Sequence, residues 1–261
     1  MKTSPLAKAA LFVALAAVAV VGYLFLLSVF RGKLGAFSSA VPAILLALTA
    51  LILNWRFFRH DQQSLAEIGF NETALRIRQA AVGFVAGCAL VAVWALAIKF
   101  VTSGSWKMVP SFDSTAATGA FTFITFNNAG EELVYRGYLF LLLTRSYGQA
   151  IAVISTCALF TLLHIQGGVP WQSAVAGVFT SALVYAALFV RWQSLPLVLA
   201  FHVATNFLQE FLGLRMTGLT LFAPTQGARV SESQTNLILL IIGLVNTAVA
   251  FVIFRSARKH S

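Results

Sequence analysis

The stretch Glu131-Glu132-Leu133-Val134-Tyr135-Arg136 places two adjacent carboxylates and an arginine inside a run of apolar and small residues, from about Thr115 to Thr144. In a membrane helix each such charge costs about 2.5–3.5 kcal/mol, so three of them are kept only where they have partners or a function. Spacing i,i+4 pairs Glu132 with Arg136, whereas Glu131 lies one position round the helix without a local cation. The stretch therefore predicts an internal ion pair beside a glutamate that faces a different neighbour.

The composition is typical of a polytopic membrane protein. Of 261 residues, 59% are hydrophobic and 10% are charged, whereas a soluble domain carries about 25% charged residues. The net charge is +10, but the lysines and arginines lie almost entirely in short segments between apolar runs. This distribution is typical of topology signals and of contacts with anionic lipid. We therefore expect membrane lipids as partners and no nucleic acid.

Eight apolar runs have, or nearly have, the roughly 17–25 residues needed to cross a bilayer. They cover Ala9–Phe30, Ser38–Leu53, Gln79–Val101, Thr115–Thr144, Gln149–Ile165, Trp171–Val190, Leu195–Leu214 and Thr235–Phe254. The first run exceeds the ~7–15 residues of a signal-peptide core, so we expect a retained helix. Without repeats or long linkers, the prediction is an all-α single membrane domain over residues 1–261 with about eight transmembrane helices.

The basic residues also predict an orientation. If the eight spans alternate, most lysines and arginines lie on the same side as the N-terminus. The positive-inside rule then places both termini in the cytoplasm. We expect an integral, multi-pass protein of a bacterial-type cell (inner) membrane.

Two further polar motifs fall within predicted spans. His164 closes Phe160-Thr161-Leu162-Leu163-His164 in span five, and span seven contains His202-Val203-Ala204-Thr205-Asn206, whose ends share one helix face. With the glutamates of span four, these groups could converge in a cavity between spans four, five and seven. A carboxylate in low dielectric can take a proton from water, a histidine can hold that water, and imidazole and amide N–H groups can stabilise an oxyanion. The set predicts hydrolysis of an amide or ester.

Glu-Glu-x-x-x-Arg, Phe-x-x-x-His and His-x-x-x-Asn, in this order over residues 131–206, resemble the CAAX protease and bacteriocin-processing family of intramembrane, metalloprotease-like enzymes. Its eukaryotic members are the type II CAAX prenyl endopeptidases. The resemblance implies that Glu131 activates water with help from His164. It also implies that His202 and Asn206 stabilise the oxyanion.

The same resemblance matches Glu132 and Arg136 to the second glutamate and the arginine of the family motif. Tyr135 stands where the family usually has Phe, which adds a hydroxyl near the site. Glu210 lies on the stripe of His202 but outside the motif, so we expect a structural or interfacial role, near Arg215.

The leading hypothesis is an endopeptidase that acts on a peptide or protein substrate, with or without a lipid. The chain lacks the His-Glu-x-x-His of a zinc protease and the Gly-x-Ser-x-Gly of a serine hydrolase. Two other classes stay open. One is a noncatalytic membrane partner, such as an immunity or scaffold protein, and the other is a proton-coupled transporter with a buried carboxylate.

The cofactor stays open as well. Glu131, His164 and His202 are candidate ligands for zinc or another divalent metal. The sequence lacks the paired i,i+4 histidines that make such sites obvious, and direct activation of water needs no ion.

Overall fold

The computed structural model describes residues 4–109, 112–214, 220–224 and 230–257. The helices, in chain order, are α1 (Pro5–Phe30), α2 (Ala40–His60), α3 (Thr73–Thr102), α4 (Ser114–Arg136), α5 (Tyr138–Tyr147), α6 (Gln149–Gln166), α7 (Trp171–Ser173), α8 (Thr180–Trp192), α9 (Leu195–Phe211) and α10 (Glu232–Ala257). A π-helical turn, Ala174–Phe179, joins α7 to α8. Strands β1 (Trp106–Met108) and β2 (Phe222–Pro224) pair antiparallel. Within the described residues, the fold is thus all-α apart from this pair of three-residue strands.

Six helical segments within the described ranges are long and apolar enough to cross a membrane. They are Pro5–Phe30, Gly35–His60, Leu65–Thr102, Gln149–Gln166, Trp171–Trp192 and Glu232–Ala257. Large apolar side chains lie exposed along them, among them Leu24, Val85 and Leu244, and lipid is the solvent that such surfaces require. The protein is therefore an integral, multi-pass membrane protein.

The other two predicted spans hold the Glu-Glu-x-x-x-Arg and His-x-x-x-Asn motifs, and neither is among the six. The run Leu195–Leu214 contains α9, which has 17 residues. The run Thr115–Thr144 carries three charges and is divided between two helices. A total of eight crossings stays a prediction.

The division of the fourth predicted span occurs at Gly137, between α4 and α5. Asn54 of α2, which is fully buried, bonds both sides of the break. Its Oδ1 accepts the backbone N–H of Tyr138 at 2.7 Å, and its Nδ2 donates to the carbonyl of Leu133 at 2.9 Å. A Cβ on residue 137 would collide with Asn54 Oδ1. The amide replaces helical hydrogen bonds that the break removes, which a buried or membrane-embedded backbone requires.

Helix α9 is held by close packing of α3 on one side and α4 on another. Gly83 and Gly87 of α3 lie four residues apart, so they share one helix face. A Cβ at either position would collide with the backbone carbonyl of Leu197 or Phe201 on α9. Small residues at this spacing let two helix backbones touch. The contact fixes α9 in the position from which it presents its histidine and asparagine to α4.

Candidate active site

One face of α4 forms two polar contacts with α9. Asn128, Glu132 and Arg136 follow one another at intervals of four residues. His202 Nδ1 lies 2.8 Å from Glu132 Oε1, and Asn206 Nδ2 donates to Asn128 Oδ1 at 3.0 Å. The two contacts lie one helical turn apart and the numbering runs in opposite directions, so α4 and α9 are antiparallel here. The motifs that the sequence places on spans four and seven therefore meet side by side.

The C-terminal end of this face carries the ion pair that the i,i+4 spacing predicts. Arg136 Nη1 lies 3.0 Å from Glu132 Oε1, and both side chains are 0% exposed. Arg136 Nη2 also donates to the carbonyl of Ala182 on α8 at 3.1 Å. Its guanidinium carbon lies 5.3 Å from the ring centre of Phe160 and 5.4 Å from that of Tyr185. Aromatic faces stabilise a desolvated cation, so this buried charge is compensated on several sides.

The contact with Glu132 determines the protonation pattern of His202. A carboxylate paired with a guanidinium accepts hydrogen bonds, so the proton of this contact belongs to His202 Nδ1. In the neutral ring, Nε2 is then an acceptor, and it lies 3.8 Å from Glu131 Oε2. Tyr185 stacks on the imidazole with ring centres 4.3 Å apart, which fixes the plane of the ring. Two proton acceptors on different helices thus face each other across a short gap.

The second polar face of α4 points towards α1. Glu131 Oε1 accepts a hydrogen bond from Asn127 Nδ2 at 2.9 Å, and Asn127 Oδ1 accepts one from the Tyr23 hydroxyl at 3.2 Å. The side chain of Glu131 is 23% exposed, whereas that of Glu132 is completely buried. Sequence reasoning missed Tyr23, for which the only signal was a phenol in the middle of an apolar span. Glu131 is the candidate carboxylate that water and substrate can reach.

His164 lies beside this group without joining it. Its Nδ1 lies 2.8 Å from the carbonyl oxygen of Phe160, which can only accept, so Nδ1 donates and Nε2 is left as an acceptor. The ring of Phe160 packs against both histidines, with its centre 4.4 Å from that of His164 and 6.1 Å from that of His202. Within the described ranges, no hydrogen bond or ion pair connects His164 with Glu131.

The structure thus brings Glu131, Glu132 and His202 into direct contact or close approach, with Asn206 one turn away. His164 is connected to this group only through Phe160, which packs against both His164 and His202 in the described part of the chain. Glu210 is buried in the last turn of α9, and Arg215, its expected neighbour, lies outside the described residues. Sequence reasoning also missed Asn54 and did not assign Asn128 a partner.

The predicted metal ligands are not arranged around a common point. Nowhere in the described part of the chain do three or more His, Cys, Asp or Glu side chains form a group that could hold a metal ion. Zinc needs its nitrogen and oxygen ligands at about 2.0–2.2 Å. A neutral imidazole with its proton on Nδ1 could bind a metal through Nε2, but Glu131, His164 and His202 do not form such a group among the described residues. We derive no chemical step through a metal.

Comparison with known proteins gives one match. Residues 113–208 match the model of a family described as Type II CAAX prenyl endopeptidase Rce1-like. The matched segment runs from the N-cap of α4 into α9, and it contains Glu131, Glu132, Arg136, His164, His202 and Asn206. Neither the curated proteins nor the solved structures contain a match. Over residues 113–208, the chain is therefore similar to the Rce1-like family of type II CAAX prenyl endopeptidases.

Proposed function

We propose that the protein is an intramembrane endopeptidase that hydrolyses a peptide bond with water activated by Glu131. The observation that carries the proposal is the approach of Glu131 Oε2 to His202 Nε2 at 3.8 Å. A water molecule in contact with both atoms would have a proton acceptor on each side. Because Glu131 is the more exposed of the two glutamates, it is the one that a substrate can reach.

In the first step, Glu131 takes a proton from this water as general base while the oxygen attacks the carbonyl carbon of the peptide bond. Glu132 holds the Nδ1–H of His202, in the same way that the buried carboxylate of a catalytic triad orients its histidine. Arg136 keeps Glu132 in place through their ion pair. The buried face of α4 therefore positions the groups that react at its open face.

The tetrahedral intermediate carries negative charge on the former carbonyl oxygen. An asparagine amide has two N–H donors, and Asn206 uses one of them on Asn128 Oδ1. The other is available to the oxyanion. Neutral His202 presents an acceptor at Nε2, so it can join as a donor only after it has received a proton. When the intermediate collapses, the proton on Glu131 moves to the leaving amine.

We propose that His164 assists Glu131 in activating water, which is the role that its motif position implies. Its unprotonated Nε2 and its contact with Phe160 support this role, since Phe160 also packs against His202. The family description points to a prenylated CAAX tail as the substrate class. For this chain, we propose as substrate a peptide or protein segment that enters the membrane, whether or not it carries such a lipid.

The decisive experiment compares the membrane proteome of cells that carry the wild-type chain with cells that carry Glu131→Gln. Glu72→Gln is the matched control, because Glu72 is exposed at the start of α3 and its side chain makes no capping bond. We expect at least one membrane protein to show a new, cleaved terminus in cells with the wild-type chain and in cells with the control. The same protein should stay uncleaved in cells with Glu131→Gln. Identical termini in all three would contradict the proposal.

The same variants separate the other two classes of function. A noncatalytic partner would leave all peptide termini unchanged while Glu131→Gln weakens a complex. A proton-coupled transporter would show, in reconstituted vesicles, a proton flux that Glu131→Gln removes. Neither outcome is expected from an endopeptidase.

A further inference from the structure

A cleft of about 500 Å³ opens at the end of the molecule where α1 begins and α2 ends, away from the α4–α9 contacts. Four of its six lining residues are basic or can become so, and two are apolar. They are Lys8, Arg56, Arg59, His60, Leu11 and Phe57. The cleft thus combines cationic groups with an apolar wall.

Among the described residues, Asp61 is the carboxylate that contacts this group, and it already has partners within the protein. Asp61 accepts hydrogen bonds from Lys8 at 2.5 Å, from His60 at 3.0 Å and from the Tyr138 hydroxyl at 2.7 Å. Burial raises the pKa of Asp61, but these hydrogen bonds and the charge of Lys8 outweigh burial and lower the pKa to about 2. Asp61 therefore stays ionised at neutral pH, and its charge is already shared among Lys8, His60 and Tyr138.

The two arginines of the cleft are not neutralised in this way. Within the described ranges, neither Arg56 nor Arg59 has a carboxylate within ion-pair distance. Arg59 instead lies over the ring of Trp55, with its guanidinium carbon 5.5 Å from the ring centre. Their charge is thus available to an external anion.

The surroundings of the cleft are those of a membrane boundary. Leu11 is 54% exposed and Trp55 is 41% exposed, and both lie within two turns of the end of a membrane-spanning helix. Tryptophan is enriched where hydrocarbon meets headgroups, and basic residues at that level attract anionic lipid. The basic rim would lie at the headgroup level, and Leu11 and Phe57 would face the start of the acyl chains.

We propose that this cleft is a binding site for an anionic phospholipid, whose headgroup phosphate is held by Arg56 and Arg59 and whose acyl chain lies along Leu11 and Phe57. Guanidinium groups bind phosphate oxygens in bidentate geometry and lose less hydration than an ammonium group does. A lipid in this position would contact both α1 and α2. The proposal is independent of peptide hydrolysis.

The test measures lipid binding by native mass spectrometry of the full-length protein in detergent. Palmitoyl-oleoyl phosphatidylglycerol is titrated against wild type, against Arg56→Gln with Arg59→Gln, and against Arg31→Gln with Lys33→Gln. The last pair removes two charges at the opposite end of α1, where both residues are exposed. It serves as the control for loss of charge alone.

We expect phosphatidylglycerol to bind the double variant at residues 56 and 59 about 30-fold more weakly than wild type, since each basic residue near an anionic surface contributes about fivefold. The control should change less than about twofold. Arg56→Lys with Arg59→Lys keeps the charge but loses the bidentate geometry, so its affinity should fall between that of wild type and that of the glutamine pair. An unchanged thermal midpoint would show that the variants fold.

Three results would overturn the proposal. Phosphatidylcholine could bind as tightly as phosphatidylglycerol, which would leave no role for the headgroup charge. The control pair could lose as much binding as the cleft pair, which would indicate diffuse attraction. Inorganic phosphate could displace the lipid at equal concentration, which would identify a soluble anion as the ligand.

Discussion

Glu131 and Glu132 are neighbours in sequence, yet α4 places them in opposite environments. Glu132 is completely buried, shares one oxygen between Arg136 and His202, and belongs to the face packed on α9. Glu131 is 23% exposed and has one side-chain hydrogen bond, from Asn127 on the face towards α1. Successive residues of a helix point about 100° apart, so one step along the chain moves a carboxylate from the packed interior to an accessible site. This difference supports our proposal that Glu132 holds the scaffold and Glu131 reacts.

The sharpest test of this comparison is Glu131→Gln, for which we expect the largest effect on activity. The amide keeps the shape and can still accept the hydrogen bond from Asn127, but it cannot take a proton from water. Turnover should fall by ~10²–10⁴-fold, because general-base catalysis contributes that much. Activity is measured as cleavage of the substrate that the proteome comparison identifies, and the thermal midpoint in detergent should stay near the wild-type value. More than about a tenth of wild-type turnover would remove Glu131 from the base role.

Arg136→Met should do the reverse and affect stability first. It leaves the carboxylate of Glu132 buried without its cation, and removing one partner of such a pair typically costs 3–5 kcal/mol. Combining it with Glu132→Gln removes both charges and should recover much of the loss, which gives a strongly non-additive cycle. The readout is the thermal midpoint of the two single variants and the double variant. If the losses simply add, Arg136 and Glu132 are not coupled, and the distinction between a structural and a reactive glutamate fails.

The sequence was sufficient for features that helix geometry fixes by itself. The pair Glu132–Arg136 and the shared face of His202 and Asn206 depend only on the i,i+4 spacing. The apolar runs predicted the membrane helices, although the run from Thr115 to Thr144 concealed a break. Hydropathy depends on side-chain polarity and not on backbone hydrogen bonds, so it could not show that the helix ends at Arg136.

Contacts between distant helices could not be predicted in the same way. Asn54 bonds the chain on both sides of Gly137, and Tyr23 supports Asn127 from α1. Such contacts depend on the register and tilt of one helix against another, which no local motif encodes. The same limit applies to His164, whose ring packs on that of Phe160 and whose predicted place beside Glu131 stays a prediction.

The contact between Asn206 and Asn128 supplies the next test. If Asn206 donates to the oxyanion, Asn206→Ala should lower kcat by ~10²-fold with little change in KM, since such a donor acts mainly in the transition state. Asn128→Ala removes only the acceptor that orients Asn206 and should cause a smaller loss of kcat. Both parameters are measured for the two single variants. A change confined to KM would make Asn206 a substrate-binding residue.

The smallest expected effect concerns Tyr23, which connects the open face of α4 to α1. Its hydroxyl donates to Asn127, whose amide in turn donates to Glu131, so Tyr23 orients the candidate base through one intermediate. Tyr23→Phe removes a single hydrogen bond worth about 1 kcal/mol, and kcat should fall about fivefold with KM unchanged. In the background of Asn127→Leu the same change should have almost no further effect, because the connection to Glu131 is already broken. A fivefold loss that persists in that background, or one that appears in the thermal midpoint instead of kcat, would mean that Tyr23 only packs α1 against α4. The open face would then be organised by α4 alone.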